Sequence, residues 1–248
     1  YEPFVAPILT TDINSAELIK HAANSFLALK ISYINHVAAL CEASGADVSL
    51  VAEGIGMDKR IGRAFLNAGL GYGGSCFPKD IAAFIAIADR LGVPFNLLKE
   101  VQRINTASLE RFVAHIRDKL WVLQEKRIAV WGLAFKANTD DVRSSLAVEL
   151  VRRLVAEGAR VAAYDPKAME TGRAASGMDA VEFCASPLEA AVGADALVIA
   201  TEWPEFAAQD FGELKARMRT PIIFDGRNLL DPPSMRHLGF EYMSIGRP

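Results

Sequence analysis

Four short apolar runs, each ending in turn residues, most constrain the fold of this chain: KRIAVWGL (126–133), ARVAAYDP (159–166), ALVIATEW (196–203) and PIIFDGRN (221–228). Helical patterns at Ser144–Glu157, Pro187–Val192 and Phe211–Met218 lie between them. Strands alternating with helices imply a parallel, doubly wound sheet with right-handed crossovers. Ligands of such sheets sit beyond the carboxyl ends of the strands. The residues expected at that edge are Phe135, Lys136, Asp165, Thr201, Glu202 and Arg227. Trp131 and Trp203 are expected in the core or in a pocket wall.

The first half has a different character. Residues 1–14 are rich in Pro and Thr and read as a linker. Ser15 is a candidate cap for a helix running to Gly45, with Leu18, Phe26, Leu29, Ile34, Val37 and Leu40 at helical spacing. At ~1.5 Å per residue such a helix exceeds 40 Å, too long for one small domain to cover, and it reads as a spine shared between domains or subunits. A short helix over Val48–Ile55 precedes the glycine-rich stretch GMDKRIGRAFLNAGLGYGGSCFPKD, which has little periodicity and reads as a structured loop. Helical pattern returns over Lys79–Arg90 and Phe95–Leu120. The expected architecture is therefore α/β overall: a helical unit over 15–124, then a Rossmann-like parallel-sheet unit over 125–248.

Charge and cysteine content exclude several function classes. With 27 basic and 30 acidic residues the net charge is −3, which gives no general attraction to nucleic acid or an anionic membrane. No stretch approaches the roughly 18 consecutive apolar residues of a membrane span, and the first residues lack a signal-peptide pattern. The chain starts at Tyr1 rather than Met and reads as a fragment or a processed product. Cys41, Cys76 and Cys184 are an odd, widely spaced set, expected as reduced thiols in the cytoplasm. His21, His36, His115 and His237 show no zinc spacing, so no metal is expected.

Gly69-Leu70-Gly71-Tyr72-Gly73-Gly74 matches G-x-G-x-x-G literally. That fingerprint binds a dinucleotide only where it follows a strand and opens a helix, and here no strand precedes it. The turn after the first strand, Gly132-Leu133-Ala134, has one glycine where the fingerprint needs three.

Cys76 carries the strongest chemical signal. Pro78 follows at a first-turn position, which sets the thiol at a helix N-terminus, and Lys79 stands close by. Both favour thiolate over thiol, against the bland alternative of an inert buried cysteine that fits Cys41 and Cys184. Asp80, four residues on, is placed to orient water or assist proton transfer, or simply to complement the helix dipole. Lys20 and Asn24 share one face of the long helix, suited to a developing oxyanion or a sugar hydroxyl, or to a solvated surface. Arg60, Lys136, Arg143 and Arg227 sit in loops or at helix starts where phosphates are commonly held. Lys136 and Arg227 follow separate strands and should reach one sheet edge.

Four segments then carry a family resemblance. GIGMDKRIGRAFLNAGLGYGGSCFPKD resembles the active-site region of the UDP-glucose/GDP-mannose dehydrogenase family, its UDP-glucose branch above all. AELIKHAANSFLALKISYINHVAALCEASGADV resembles the helix preceding that region. WGLAFKANTDDVRSS and FDGRNLLD resemble its nucleotide-sugar domain. The resemblance runs through the whole chain and implies NAD-dependent oxidation of the C-6 hydroxymethyl of UDP-glucose to a carboxylate. It implies that Cys76 traps the intermediate aldehyde as a thiohemiacetal and then a thioester, with Lys20 and Asn24 at the oxyanion and Asp80 at the water. Phe65, Leu66, Asn67, Ala68, Gly69, Tyr72 and Gly73 correspond to the loop that wraps the substrate. Phe135, Lys136 and Arg227 correspond to contacts from the sheet domain, and Arg60 to an Arg supplied to a neighbouring subunit. Lys79 and Arg143 correspond to residues reaching NAD, most of which would be bound by an N-terminal domain preceding Tyr1. A homodimer or larger homo-oligomer through the helical unit, and a role in supplying a surface polysaccharide, are further implications. The competing readings are a sister enzyme for GDP-mannose or an N-acetylated UDP-hexose, and a non-catalytic nucleotide-sugar-binding or oligomerisation module.

Overall fold

A computed structural model describes residues 6–248; the first five residues of the linker 1–14 lie outside the described residues. Helix α1 (Ile13–Ser44) begins two residues before Ser15. Asp12 is the cap: its carboxylate accepts the Ser15 amide at 2.9 Å and the Ser15 hydroxyl at 2.6 Å. Gly45 ends the helix in the left-handed region, φ 74°.

The face that α1 buries is only partly the one its large apolar residues suggest: Ile34 is buried and Leu29 and Val37 pack against the core. Ser25, Ala28, Ser32, Ile34, Asn35, Ala38 and Cys41 are buried, whereas Phe26 is 60% and Leu40 64% exposed and Leu18 is exposed too. Small side chains let α4 (Asn96–Leu120) approach closely, and the Ser32 hydroxyl donates to Val101 O at 3.1 Å across that contact. Helices α2 (Val48–Gly56) and α3 (Phe77–Arg90) complete the helical half.

The sheet has six parallel strands: β1 (Arg127–Trp131), β2 (Arg160–Tyr164), β3 (Glu182–Phe183), β4 (Ala196–Ile199), β5 (Ile222–Asp225) and β6 (Glu241–Ser244). Their order is β3-β2-β1-β4-β5-β6, so the chain reverses its direction of winding between β1 and β4. Helix α5 (Leu146–Ala156), capped by Ser145, packs on one face with Ile128 and Val130; Ala129 and Trp131 face the other. The edge strands β3 and β6 are absent from the sequence reading. β3 has only two residues, and β6, Glu-Tyr-Met-Ser, has no apolar run.

Two residues expected at the ligand edge turn inward instead. Asp165 is buried and accepts the amides of Leu133 and Ala134 at 2.7 and 3.0 Å and the indole N–H of Trp203 at 3.2 Å. Thr201 donates its hydroxyl to Ala134 O at 2.7 Å. A carboxylate at the end of β2 with these donors staples the β1 turn in place rather than facing a ligand. Trp131 and Trp203 are both core residues.

The core does not stop at residue 124. Ile34 and Ala38 of α1, Phe112 and Val113 of α4, and Val130, Val198 and Phe224 of the sheet form one continuous cluster. The C-terminal tail adds a second tie. Gly246 accepts the Val48 amide at 2.8 Å and donates its own to Glu42 Oε1 at 2.9 Å. Its φ is 66°, and a Cβ there would lie 2.7 Å from Ala38 Cβ and 2.9 Å from Val48 Cγ1.

Gly246→Ala combines left-handed strain with a clash against two buried side chains, and is expected to cost about 2–4 kcal/mol of stability. Urea unfolding measures this; an unchanged midpoint would mean that the tail does not seat against α1 and α2.

Candidate functional site

A cavity of about 610 Å³ opens at the carboxyl ends of β1, β4 and β5. It lies at the point where strand order reverses, the position at which open α/β sheets receive ligands, and its size suits a small molecule. Phe135 and Lys136 enter from the loop after β1, Glu202 from β4, and Arg227 with Asn228 from the turn after β5. The helical half closes the cavity from above through Ile31, Val48 and the loop at 63–73.

Arg227 is held as a fixed cation. Its Nε donates to Ala200 O at 2.8 Å, its Nη2 to Phe135 O at 3.2 Å, and its amide to Asp225 Oδ1 at 3.0 Å. Glu202 Oε2 lies 3.2 Å from Nε, but the Nε proton points at Ala200 O. That shielded oxygen of Glu202 therefore has charge contact without a hydrogen bond. Lys136 Nζ stands 5.4 Å from the Phe135 ring centroid. Arg63, Lys136 and Arg227 against the single carboxylate Glu202 leave the lining net positive, the arrangement a diphosphate requires.

The loop at 65–74 is the roof. Asn35 Oδ1 accepts the Gly69 amide at 2.8 Å, and Asn105 brackets Tyr72, accepting its amide at 2.7 Å and donating to its carbonyl at 3.0 Å. Phe65 adopts φ 64° with its ring at the cavity, whereas Leu66 and Ala68 are core side chains that line it from within. Asn67 is exposed. Tyr72 is buried, which pushes its phenol up to about 12 and keeps it neutral. The G-x-G-x-x-G in this loop offers no cradle for a dinucleotide. A Cβ at Gly71 would lie 2.4 Å from Asn105 Oδ1, and one at Gly73 2.4 Å from Ser144 O, so the chain's own atoms already occupy that space.

Cys76 is exposed and stands at the N-cap of α3, with Pro78 in the first turn. Its carbonyl accepts the Asp80 amide at 2.9 Å, which fixes thiol and carboxylate one turn apart. Asp80, 6% exposed, gathers the remaining expected residues: Asn24 Nδ2 at 2.5 Å, Lys20 Nζ at 3.1 Å and Lys79 Nζ at 3.5 Å. Burial acts to raise the Asp80 carboxyl. The hydrogen bonds from Asn24 and Lys20, with the charges of Lys20 and Lys79, outweigh it and hold the group below the ordinary carboxylate range. Phe77, next to the thiol, contacts Phe65 and Tyr72 at centroid distances of 6.3 and 6.1 Å and joins this cluster to the cavity.

Two expected residues stand apart. Arg60 is exposed, paired with Asp58 at 2.5 Å beside a separate apolar hollow that includes Phe26 and Tyr33. Arg143 pairs with Asp141 at 2.7 Å outside the cavity. Its guanidinium is raised first by the Asp141 hydrogen bond and charge, and last by the charge of Cys76, so it lies within electrostatic reach of the thiol. Sequence reasoning missed Ile31, Ser49, Arg63 and Asn228 in the lining. Asn228 left a signal, as an Asn in the turn three residues after the end of β5, a residue type that tolerates its φ of 54°. Among the described residues no group of three or more His, Cys, Asp or Glu is placed to hold a metal ion, and no helix is long and apolar enough to cross a membrane.

Residues 14–107 match the UDP-glucose/GDP-mannose dehydrogenase family, central domain, and residues 129–232 match its UDP binding domain. UDP-glucose 6-dehydrogenase TuaD of Bacillus subtilis is 46% identical over 100% of this chain and 54% of its own length. The structure of a UDP-glucose dehydrogenase from Pyrobaculum islandicum superimposes with a TM-score of 0.90 at 40% identity, covering 100% of this chain and 55% of that one. UDP-D-ManNAc dehydrogenase from Pyrococcus horikoshii follows at TM-score 0.83 and 31% identity, covering 98% and 54%. The chain thus spans about half the length of the relatives it matches.

Because the folded Asp80 carboxyl is held below its unfolded value, its contribution to stability is complete above pH ~3.9 and is lost as pH falls through the folded value. Asp80→Asn should lower stability at pH 7 by about 1–3 kcal/mol, toward the low end because Lys20 is largely solvent-exposed. The gap to the wild type should narrow below pH ~3.9. Thermal melts from pH 7 to pH 3 test this, and a gap that widens in acid would refute it.

Proposed function

This chain belongs to the UDP-glucose/GDP-mannose dehydrogenase family, and we propose that it forms the substrate-binding and nucleophile-bearing part of an enzyme that oxidises UDP-glucose to UDP-glucuronate with NAD. The observation that carries this reading is the Cys76–Asp80–Lys20–Asn24 cluster, assembled beside a cationic cavity at the switch point of the sheet.

In this reading Arg227 and Lys136 take the diphosphate and the 65–73 loop covers the sugar. The hydroxymethyl carbon is thereby directed toward Cys76. NAD, when bound, would supply the hydride acceptor, and the four-electron oxidation would consume two NAD molecules, one for each hydride. Lys79 and Arg143 are what this chain offers to it; the described residues hold no dinucleotide cradle. After the first oxidation the Cys76 thiolate adds to the aldehyde carbon, and the Lys20 ammonium with the Asn24 amide faces the oxyanion that results. Loss of hydride leaves a thioester on Cys76, which water cleaves to the acid, returning the thiolate. Asp80 is charged throughout the neutral range and is a weak base, so its part is to orient that water and to hold Lys20 and Asn24.

The exposed residues Phe26, Tyr33 and Leu40 on α1 support a homo-oligomer through the helical half. Three free thiols support a reducing, cytoplasmic setting. The alternative substrates are GDP-mannose and N-acetylated UDP-hexoses. The structural likeness to the Pyrococcus enzyme, 0.83 against 0.90, favours UDP-glucose over the N-acetylated sugars.

Cys76→Ser in the full-length gene product should reduce acid formation by roughly 10³-fold or more. UDP-glucose binding should stay within about twofold, since the thiol lies outside the cavity lining. Retained acid formation would sink the thioester mechanism. A panel of nucleotide sugars in which UDP-glucose gave no more NADH than its competitors would sink the substrate assignment.

A further inference from the structure

Arg227 sits on the turn after β5; the cavity side touches it through Phe135 O and the Leu70 amide at Gly226 O, and a second support comes from behind. Asp225, the last residue of β5, is fully buried and accepts the Arg227 amide at 3.0 Å, the Leu230 amide at 2.8 Å and the Tyr242 hydroxyl at 2.7 Å. Tyr242 OH in turn accepts Arg247 Nη2 at 2.6 Å, and the Arg247 guanidinium stands 3.9 Å from the same Asp225 carboxylate. A second pair of bonds runs parallel to this relay. Asn228 Nδ2 donates to Ile245 O at 2.8 Å, and the Ile245 amide donates to Asn228 Oδ1 at 3.0 Å. Asn228 is held at φ 54°, a left-handed conformation that Asn tolerates and that these two bonds fix. One residue further on, Gly246 is bonded to α1 and α2.

We infer that Tyr242 and Arg247 are positioning residues for Arg227, and that the C-terminal strand and tail act as a brace setting the guanidinium that receives the diphosphate. None of the brace residues 242–247 lines the cavity, so their influence on a ligand runs through the turn. Burial of a full carboxylate explains the number of donors. Asp225 needs each of its partners, and removing one leaves a buried acceptor short and the turn less constrained. Burial, then the Asp225 charge, raise the Tyr242 phenol well above its ordinary range, so it remains a neutral donor to Asp225 across the working pH range. The tail also joins the turn to the helical half. Roof and floor of the cavity therefore share one support.

The inference rests on the nucleotide-sugar reading only for its ligand, and the test separates the two. In ¹⁵N-labelled protein the Arg227 Nε–H signal, assigned by its loss in Arg227→Lys, should be sharp and protected because it donates to Ala200 O. In Tyr242→Phe that signal should broaden and exchange faster, along with that of Arg247, which bonds the lost hydroxyl, while the remaining arginine signals hold, and UDP binding should weaken roughly tenfold. In the double variant with Arg227→Lys, the Tyr242→Phe loss should vanish, because both changes remove the same contact. Arg247→Met serves the same purpose should Tyr242→Phe fail to fold. Unchanged Nε protection, or losses that add in the double variant, would overturn the brace. A wild-type chain that binds no UDP would overturn the ligand reading, while the Nε signal would still decide the brace.

Discussion

The wedging of the 65–74 loop between two helices and a sheet edge is the constraint on which the rest of the structure depends. Asn35 on α1 and Asn105 on α4 bind the loop's backbone from one side. On the other side the Leu70 amide donates to Gly226 O at 3.0 Å, next to Arg227. The loop ends where α3 starts, and direct packing of α1 on α3, through Ala28 with Ile81 and His21 with Phe84, aligns Lys20 and Asn24 with Asp80. The glycines here are selected by contact with the chain's own atoms. At Gly71 and Gly73 a side chain would displace Asn105 or the backbone of Ser144. A phosphate fingerprint and a packing motif can thus share one spelling, and what surrounds the glycines distinguishes them.

The site uses two carboxylates in opposite ways. Asp80 is surrounded by Lys20, Lys79 and Asn24 and stays ionised, so it is a fixed negative anchor for a cationic cluster. Glu202 has one shielded oxygen with charge contact to Arg227 and no hydrogen bond. In a cavity whose other charges are cations, that oxygen is turned onto Arg227, and only the exposed remainder of the Glu202 side chain is open to the cavity.

Much of this was legible in the sequence. The four apolar runs became β1, β2, β4 and β5, and the position of Phe135, Lys136 and Arg227 at one sheet edge followed from their place after strands. Cys76 at a helix N-terminus followed from Pro78. What was not legible depended on tertiary context. Asp165 and Glu202 both follow strands, yet one turns into the protein and the other into the cavity. The difference is that Asp165 has two amides and an indole within reach, which residues distant in sequence supply. On α1, hydrophobic periodicity found Ile34, Leu29 and Val37 but not the small residues packed closely against α4, and Phe26 and Leu40 remain outside. Edge strands β3 and β6 carry no apolar signal, since an edge strand buries little.

The short strand β6 shows why such weak signals matter for function. Its own contribution to the core is modest, but Tyr242 within it supplies a donor to the buried carboxylate beneath Arg227. The residues that follow reach the helical half through Gly246. A cavity bounded by a helical half and a sheet keeps its shape only if something resists their sliding apart. The shared core does this by burial, which is non-directional and tolerates small shifts. Hydrogen bonds at a buried carboxylate are directional and do not, so the tail sets the angle of the guanidinium that burial alone would leave free.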